Sequence, residues 1–283
     1  MHPSYNTTTT SAQPRSRSRG PIPMTLNIRK ATDSHSGPKS PLPKSPLSKY
    51  PMRPFASEGR TLASAATYEE RLDGALHVLR TEAHALSVLS RLYASDHTCR
   101  DGFFRSIEAI TRQRQHHNGK VVFVGVGKSG WIAQKLTATF TSLGLPAVFM
   151  HPTEALHGDL GIVGEHDTII MVTFSGKTGE LMLLLPHIHK TCPVIVMSSP
   201  MSVDACKLSE LRPDIILLPA PIPEQESVSF GVSAPTTSTT MAIAVGDALA
   251  YVASKEMHSS VAAVFGKNHP GGAIGQTYAK GLH

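Results

Sequence analysis

Five short apolar runs alternate with helical segments along the chain from residue 121 onwards. The runs occupy residues 121–126, 147–150, 168–174, 193–198 and 214–219. Each is continuously apolar instead of alternating with polar residues, which indicates strands buried on both faces. Strands that alternate with helices form a parallel sheet joined by right-handed crossovers. The pattern therefore predicts an α/β fold with a five-stranded parallel sheet flanked by helices.

Helical periodicity lies on either side of these runs. Between about residues 68 and 93, apolar residues recur at spacings of three and four, namely Leu72, Ala75, Leu76, Leu79, Ala83, Leu86, Leu89 and Leu92. This spacing predicts a long amphipathic helix. Two further helices are predicted over about residues 102–114 and 236–255, whereas the segment 202–211 between the last two strands is short. We expect residues 61–283 to form a single domain.

The first 60 residues have a different composition, rich in Ser, Thr, Pro and Arg with few large apolar side chains. Such a segment cannot bury enough surface to offset its ordering entropy, so we predict a disordered tail over residues 1–60. This tail carries ten Lys and Arg and two acidic residues, whereas residues 61–283 carry 17 basic and 19 acidic ones. The net charge of +6 therefore belongs to the tail, and we expect no nucleic-acid partner.

The cysteine count and the hydropathy indicate the cellular compartment in which the protein works. Three cysteines without paired or metal-like spacing favour a reducing compartment. No apolar run reaches the roughly 18 residues that a membrane-spanning helix needs, and the longest, 241–253, contains Asp247. The N-terminus has no apolar segment of the signal-peptide kind. We expect a cytoplasmic protein that is not associated with a membrane.

Two loops combine glycine with hydroxyl residues directly after predicted strands. They read GVGKSG over residues 125–130 and TFSGKTGE over residues 173–180, and each precedes a predicted helix. The exposed N–H groups of a helix N-terminus bind anions, so the pair indicates a phosphate site. GVGKSG also fits G-x-G-x-x-G, but His151 and Pro152 follow the second strand where a dinucleotide site needs an acidic residue. A plain turn with an exposed Lys128 explains GVGKSG equally well.

A run of hydroxyl residues opens the predicted helix that follows the fifth strand. Thr236, Thr237, Ser238, Thr239 and Thr240 stand together after Pro235. One capping hydroxyl would suffice, and threonine is a mediocre helix former, so the extra hydroxyls indicate a polyol or phosphate ligand.

Five motifs together resemble the sugar isomerase (SIS) domain, and more closely the D-arabinose 5-phosphate isomerase family. They are GVGKSG (125–130), HPTEALHGDLG (151–161), TFSGKTGEL (173–181), APTTSTTMAIAVGDALA (234–250) and NHPGGAIG (268–275). The resemblance runs from about residue 68 to residue 282. It implies a flavodoxin-like, doubly wound SIS domain that interconverts D-ribulose 5-phosphate and D-arabinose 5-phosphate.

The resemblance implies four catalytic positions, which are Lys128, Glu180, Glu226 and His269. One extra residue between Gly231 and Pro235 leaves Glu224 open as an alternative to Glu226. Aldose–ketose isomerisation moves a proton between C1 and C2 through an enediol, and needs a base and a group that stabilises the oxyanion. We expect a glutamate, 180 or 226, to move this proton and the lysine to stabilise the enediolate. The histidine would move protons between oxygens or open a cyclic form.

The remaining expectations concern the ligand and the assembly. The substrate contacts are expected from Gly127, Ser129, His157, Thr173, Ser175, Thr178, Thr236, Thr237, Ser238 and Thr239. We expect no metal and no cofactor, a phosphosugar as the small-molecule partner, and a homo-oligomer of the dimeric or tetrameric kind common in SIS domains. The chain shows no CBS modules, which bacterial members of the family usually carry after the SIS domain. Two alternatives stay open: a non-catalytic phosphosugar sensor, and an isomerase of another phosphosugar.

Overall fold

The computed structural model describes residues 67–272 and Gly275, so the predicted disordered tail lies outside the described residues. The helices are α1 (Tyr68–Ser95), α2 (His97–His117), α3 (Gly127–Ser142), α4 (Pro152–Ala155), α5 (Gly179–Leu184), α6 (Leu208–Leu211), α7 (Glu226–Phe230), α8 (Thr237–Met257) and α9 (Val261–Asn268). The strands are β1 (Val121–Val124), β2 (Ala147–Met150), β3 (Thr168–Val172), β4 (Val194–Ser198) and β5 (Ile216–Pro219).

The five strands form one parallel sheet in the order β2-β1-β3-β4-β5. Val121 of β1 pairs with Ala147 of β2 on one side and with Thr168 of β3 on the other. This order is that of a doubly wound, flavodoxin-like fold, which confirms the predicted fold class. Strands β1 and β3 are shorter than predicted, because residues 125–126 and 173–174 leave the sheet and form the loops at its carboxyl edge.

The core consists of two apolar clusters, one on each face of the sheet. On β1, Phe123 packs with one cluster, whereas its neighbours Val122 and Val124 pack with the other. Since successive side chains of a strand point to opposite faces, a strand covered on both sides must be apolar at every position. This requirement explains the continuous apolar runs of the sequence.

Helix α1 forms as predicted, but its buried face differs from the predicted one. A capping box begins the helix, in which Thr67 accepts a hydrogen bond from the Glu70 N–H and the Glu70 side chain accepts one from the Thr67 N–H. The buried residues of α1 are Thr81, Ala85 and Leu89. Most of the apolar stripe that predicted the helix is exposed instead.

None of the described helices is both long enough and apolar enough to cross a membrane. The longest apolar helix, α8, carries Asp247, whose carboxylate forms an ion pair with Lys135 of α3. The two helices therefore contact each other through a polar pair at the surface as well as through the core.

Candidate active site

A cavity of about 330 Å³ lies at the carboxyl edge of the sheet. Residues that end or directly follow four of the strands reach it, among them Thr173 after β3, Ser198 at the end of β4 and Ala220 after β5. In doubly wound folds, ligands bind at this edge. Lys128 and Glu226 are the charged side chains among the described residues that line the cavity, one of each sign.

The first turn of α3 brings a cation and open N–H groups to the cavity. Lys128 and Ser129 both line the cavity, and no side chain caps this helix end. The turn that precedes α3 is tight, because a Cβ atom on Gly125 would lie 2.7 Å from the Ser129 carbonyl oxygen. Gly127 begins the helix with a φ of +59°, which favours glycine. The helix N-terminus and the ammonium group together favour an anion.

Glu226 lines the cavity and is buried, with 7% of its surface exposed. Its Oε1 accepts hydrogen bonds from the Thr236 N–H (2.6 Å), the Ser238 N–H (3.0 Å) and the Ser238 hydroxyl (2.9 Å). The Thr236 hydroxyl also lies 3.4 Å from this oxygen. Among the described residues, these four donors all bind Oε1, so Oε2 is left to accept a proton. The carboxylate thus fixes the N-terminus of α8 while lining the cavity.

Glu224, the alternative second carboxylate, lies elsewhere. Its side chain is exposed, its Oε2 accepts a hydrogen bond from the Ser229 hydroxyl at 2.5 Å, and it does not line the cavity. The geometry therefore favours Glu226.

The hydroxyl run has more roles in folding than the sequence interpretation allowed. The hydroxyl of Thr239 donates to the Thr236 carbonyl at 2.7 Å, and that of Thr240 donates to the Glu82 carboxylate at 3.1 Å. The hydroxyl of Thr237 is buried and has no partner among the described residues. Ser238 and Thr239 line the cavity, whereas the side chains of Thr236 and Thr237 do not. Two of the four predicted substrate hydroxyls of this run therefore lie at the cavity.

The loop TFSGKTGE contributes its first residues to the cavity. Thr173 is buried there, and its hydroxyl lies 2.7 Å from that of Thr178. The Ser175 hydroxyl accepts a hydrogen bond from the Lys177 N–H at 3.2 Å and is exposed. Glu180 is half-buried in the first turn of α5. Neither it nor the side chains at 175 and 178 line the cavity.

The two predicted histidines also lie away from the cavity. His157 is exposed in the loop after α4. His269 packs on the Phe265 ring with centroids 4.0 Å apart, and its Nε2 lies 3.4 Å from the Ser142 hydroxyl. Ser142 is the last residue of α3, whereas Lys128 lies in the first turn, about 21 Å away along the helix axis.

Sequence reasoning missed four polar residues that line the cavity: Ser198, Ser199, Gln225 and Ser233. They belong to no recognisable motif. The signal that could have found the first two is their position, since Ser198 ends a buried strand, Ser199 follows it, and ligands bind at the carboxyl ends of such strands.

Possible metal ligands and cysteine thiols are two further kinds of reactive group. Among the described residues, no cluster of three or more His, Cys, Asp or Glu side chains could hold a metal ion. Cys99, Cys192 and Cys206 are free and buried, and burial raises the pKa of each thiol. Neutral, buried thiols are poor nucleophiles.

Known proteins resemble this chain in sequence and fold. The SIS domain family matches residues 116–251. Arabinose 5-phosphate isomerase KdsD of Yersinia pestis is 38% identical over 200 residues, which cover 70% of this chain and 56% of the relative. Arabinose 5-phosphate isomerase GutQ of Salmonella typhimurium is 34% identical over 184 residues, covering 65% of this chain and 54% of the relative. The chain thus spans little more than half the length of these relatives.

A solved structure extends the similarity to the full length of its chain. It is an Escherichia coli CFT073 protein in complex with arabinose 5-phosphate, with 32% sequence identity and a TM-score of 0.58. The match covers 72% of the present chain and 100% of that one. The chain therefore belongs to the SIS domain family, in the group that includes the arabinose 5-phosphate isomerases.

Proposed function

We propose that this protein is an aldose–ketose isomerase that interconverts D-ribulose 5-phosphate and D-arabinose 5-phosphate. The observation that carries the proposal is one cavity at the carboxyl edge of the sheet that joins Lys128, Glu226 and several hydroxyls. A carboxylate and a cation are the groups that an enediol mechanism needs. The names of the similar proteins, and the arabinose 5-phosphate bound in one of them, support this choice of sugar.

Glu226 is the base in this proposal. It removes the proton from C2 of the aldose, which gives the enediol, and returns a proton to C1, which gives the ketose. Since Oε1 already accepts its hydrogen bonds from residues 236 and 238, Oε2 is the atom that carries the proton. The hydrogen bonds to Oε1 hold the carboxylate in one orientation, and such positioning favours proton transfer.

Lys128 stabilises the negative charge that develops on the substrate oxygen as the carbon-bound proton leaves. Its side chain is exposed where it lines the cavity, and the first turn of α3 adds N–H groups beside it. Preorganised donors and charges of this kind typically contribute about 10²–10³-fold to a rate. Ser129, Ser238 and Thr239 line the same cavity and supply hydroxyls for the sugar and its phosphate.

His269 enters this mechanism only through a second copy of the chain. Within one chain it lies at the opposite end of α3 from Lys128, about 21 Å away along the helix. In a homo-oligomer, the imidazole of one copy would reach the cavity of its neighbour and move the proton between O1 and O2. Glu180, which is half-buried in the first turn of α5, stays a predicted contributor to catalysis.

The test is the activity of two neighbouring glutamate variants in the full chain. Glu226→Gln keeps an oxygen that accepts the hydrogen bonds of α8 but removes the base, so interconversion should fall by at least about 100-fold. Glu224→Gln should keep its activity, because this side chain is exposed and does not line the cavity. Interconversion is followed by NMR from either sugar phosphate.

Two results would contradict the assignment. Loss of activity in Glu224→Gln but not in Glu226→Gln would show that Glu224, and not Glu226, is the base. No interconversion in the unmodified chain, together with a rise in Tm on adding D-arabinose 5-phosphate, would favour a phosphosugar sensor over an enzyme.

A further inference from the structure

A second cavity, of about 310 Å³, lies at the amino edge of the sheet. Pro193, which directly precedes β4, and Ile216, which begins β5, both line it. The candidate active site lies at the other end of the same two strands, at Ser198 and Ala220. Since each residue of a strand adds about 3.3 Å, roughly 13–17 Å of strand join the two cavities. The second cavity, called the amino-edge cavity below, is therefore not part of the active site.

One side of α2 supplies the polar lining of the amino-edge cavity. The polar residues stand in two adjacent rows with steps of three or four residues, which places them on the same side of the helix. They are Arg105, Glu108, Arg112, Gln113, His116 and His117. Ala109 and Ile216 are buried and line the same cavity, whereas the two arginines are exposed. The cavity therefore has an apolar floor beneath a polar rim.

The rim holds two opposite charges that do not neutralise each other. Glu108 and Arg112 lie four residues apart on α2, a spacing at which such side chains commonly form an ion pair. Here neither of the two charged groups has a salt-bridge partner among the described residues, whereas Arg105 pairs with Asp101 at 3.6 Å. The His116 ring forms no hydrogen bond within residues 67–272 either, and an imidazole donates an N–H whether it is neutral or charged. The cavity thus offers a carboxylate as acceptor and a guanidinium and an imidazole as donors.

Gln113 adds a second acceptor to that of Glu108. Its Nε2 donates a hydrogen bond to the Thr191 carbonyl at 3.4 Å, while its Oε1 is buried and has no partner in the described part of the chain. Buried polar atoms are nearly always hydrogen-bonded, so this oxygen indicates a donor on a ligand. The His117 ring is fixed in the lining by stacking on the His166 ring, with the centroids 4.1 Å apart.

We propose that the amino-edge cavity binds a small zwitterion, an organic phosphate that also carries an amino group. Arg112 and His116 bind the phosphate, since together they offer more donors than the two oxygens of a carboxylate can accept. The amino group donates to the Glu108 carboxylate and to Gln113 Oε1. The carbon part of the ligand lies on the apolar floor, and the cavity volume is at the lower end of the range for small-molecule sites. This proposal does not depend on the isomerase assignment.

Isothermal titration calorimetry of the full chain with tyramine phosphate tests the proposal. The titration is made in Lys128→Gln, which removes the cation of the candidate active site, and one site per chain should remain. Adding Arg112→Gln to this background should weaken binding by at least about 10-fold. Arg100→Gln is the matched control, because Arg100 is an exposed arginine of α2 that does not line the amino-edge cavity, and it should keep the affinity. No binding in Lys128→Gln, or equal affinity after Arg112→Gln, would overturn the proposal.

A second titration tests the amino group of the ligand. Glu108→Gln should weaken the binding of tyramine phosphate by about 3–10-fold, because the ammonium group loses a charged partner. The same variant should not weaken the binding of phenyl phosphate, which has no amino group. An equal loss for both ligands would overturn the assignment of an amino group. Both titrations measure binding without turnover, so their outcome is independent of any isomerase assay.

Discussion

At the scale of single residues, Glu226 combines two tasks that proteins usually divide. One carboxylate oxygen accepts the N–H groups of Thr236 and Ser238, and so takes the place of a capping side chain at the start of α8. The helix lacks a capping bond from its own N-cap residue. The second oxygen accepts none of these hydrogen bonds, and the residue lines the cavity that we assign to the substrate. The same hydrogen bonds therefore fix the fold and orient the proposed base.

Cys99 gives the protein a pH dependence that is independent of the active site. Burial, and secondarily the nearby Asp96 carboxylate, raise the pKa of the Cys99 thiol to about 12. In the unfolded chain the pKa of a cysteine thiol is about 8.5. The raised folded-state pKa means that this contribution to stability is full below about pH 8.5 and is lost as the pH rises towards 12.

We expect the urea midpoint to fall between about pH 8.5 and about pH 10.5, and to fall less in Cys99→Ala. The alanine variant will be less stable than the parent at every pH because of the lost side-chain volume. The informative quantity is therefore the slope of the urea midpoint with pH. Equal slopes in the two proteins would show that this thiol makes no contribution.

Six of the ten polar residues that line the cavity could be predicted from sequence, among them Lys128 and Ser129, which belong to a glycine-rich motif. Their positions follow from local rules, since a glycine turn after a buried strand begins a helix at the carboxyl edge. Ser233 and Gln225 could not be predicted, because irregular loops reach the cavity through tertiary packing alone. The hydrogen bonds that the Thr239 and Thr240 hydroxyls make within the protein could not be predicted for the same reason, as their partners are set by the folded chain.

At the scale of elements, two glycines within helices differ in how closely their surroundings are packed. Gly102 of α2 lies against the β5 backbone, so that an added Cβ would overlap the Leu217 carbonyl. Gly74 of α1 has nothing within 4 Å of the same position. Alanine is favoured over glycine in a helix by about 1 kcal/mol.

Gly74→Ala should therefore raise the free energy of unfolding by about 0.5–1 kcal/mol, whereas Gly102→Ala should lower it by about 1–3 kcal/mol through overpacking. Urea unfolding of the two variants measures both changes. Stabilisation by Gly102→Ala would mean that α2 packs less closely on the sheet than the structure indicates.

The parallel sheet was predictable because continuous apolar runs are physically required of strands covered on both faces, as in β1 and β3. The buried face of α1 was not predictable in the same way. Its large leucines dominate the periodicity, but two of its three buried residues are the smaller Thr81 and Ala85, and the helix packs on α8 and α2. Periodicity identifies the helix, but it cannot show which of its apolar residues are buried.

At the scale of the whole molecule, the distance between His269 and the cavity leads us to predict that each active site combines residues of two chains. Glu226→Gln and His269→Ala should each be inactive alone. When one copy of each variant pairs, one of the two sites carries both changes and the other site is intact. Random pairing of an equal mixture makes about half of the pairs mixed, so refolding the two variants together should restore about a quarter of the parent activity. No recovery would mean that the histidine acts within its own chain, or not at all.

The most direct test of the proposed isomerase is proton exchange during turnover. The full chain is incubated with D-arabinose 5-phosphate in D₂O and followed by ¹H NMR. The enediol mechanism predicts that D-ribulose 5-phosphate appears with deuterium at C1, that the remaining aldose gains deuterium at C2, and that Glu226→Gln loses both changes. If neither sugar forms from the other and no deuterium enters either carbon, the proposed proton transfer does not occur and the isomerase assignment is wrong.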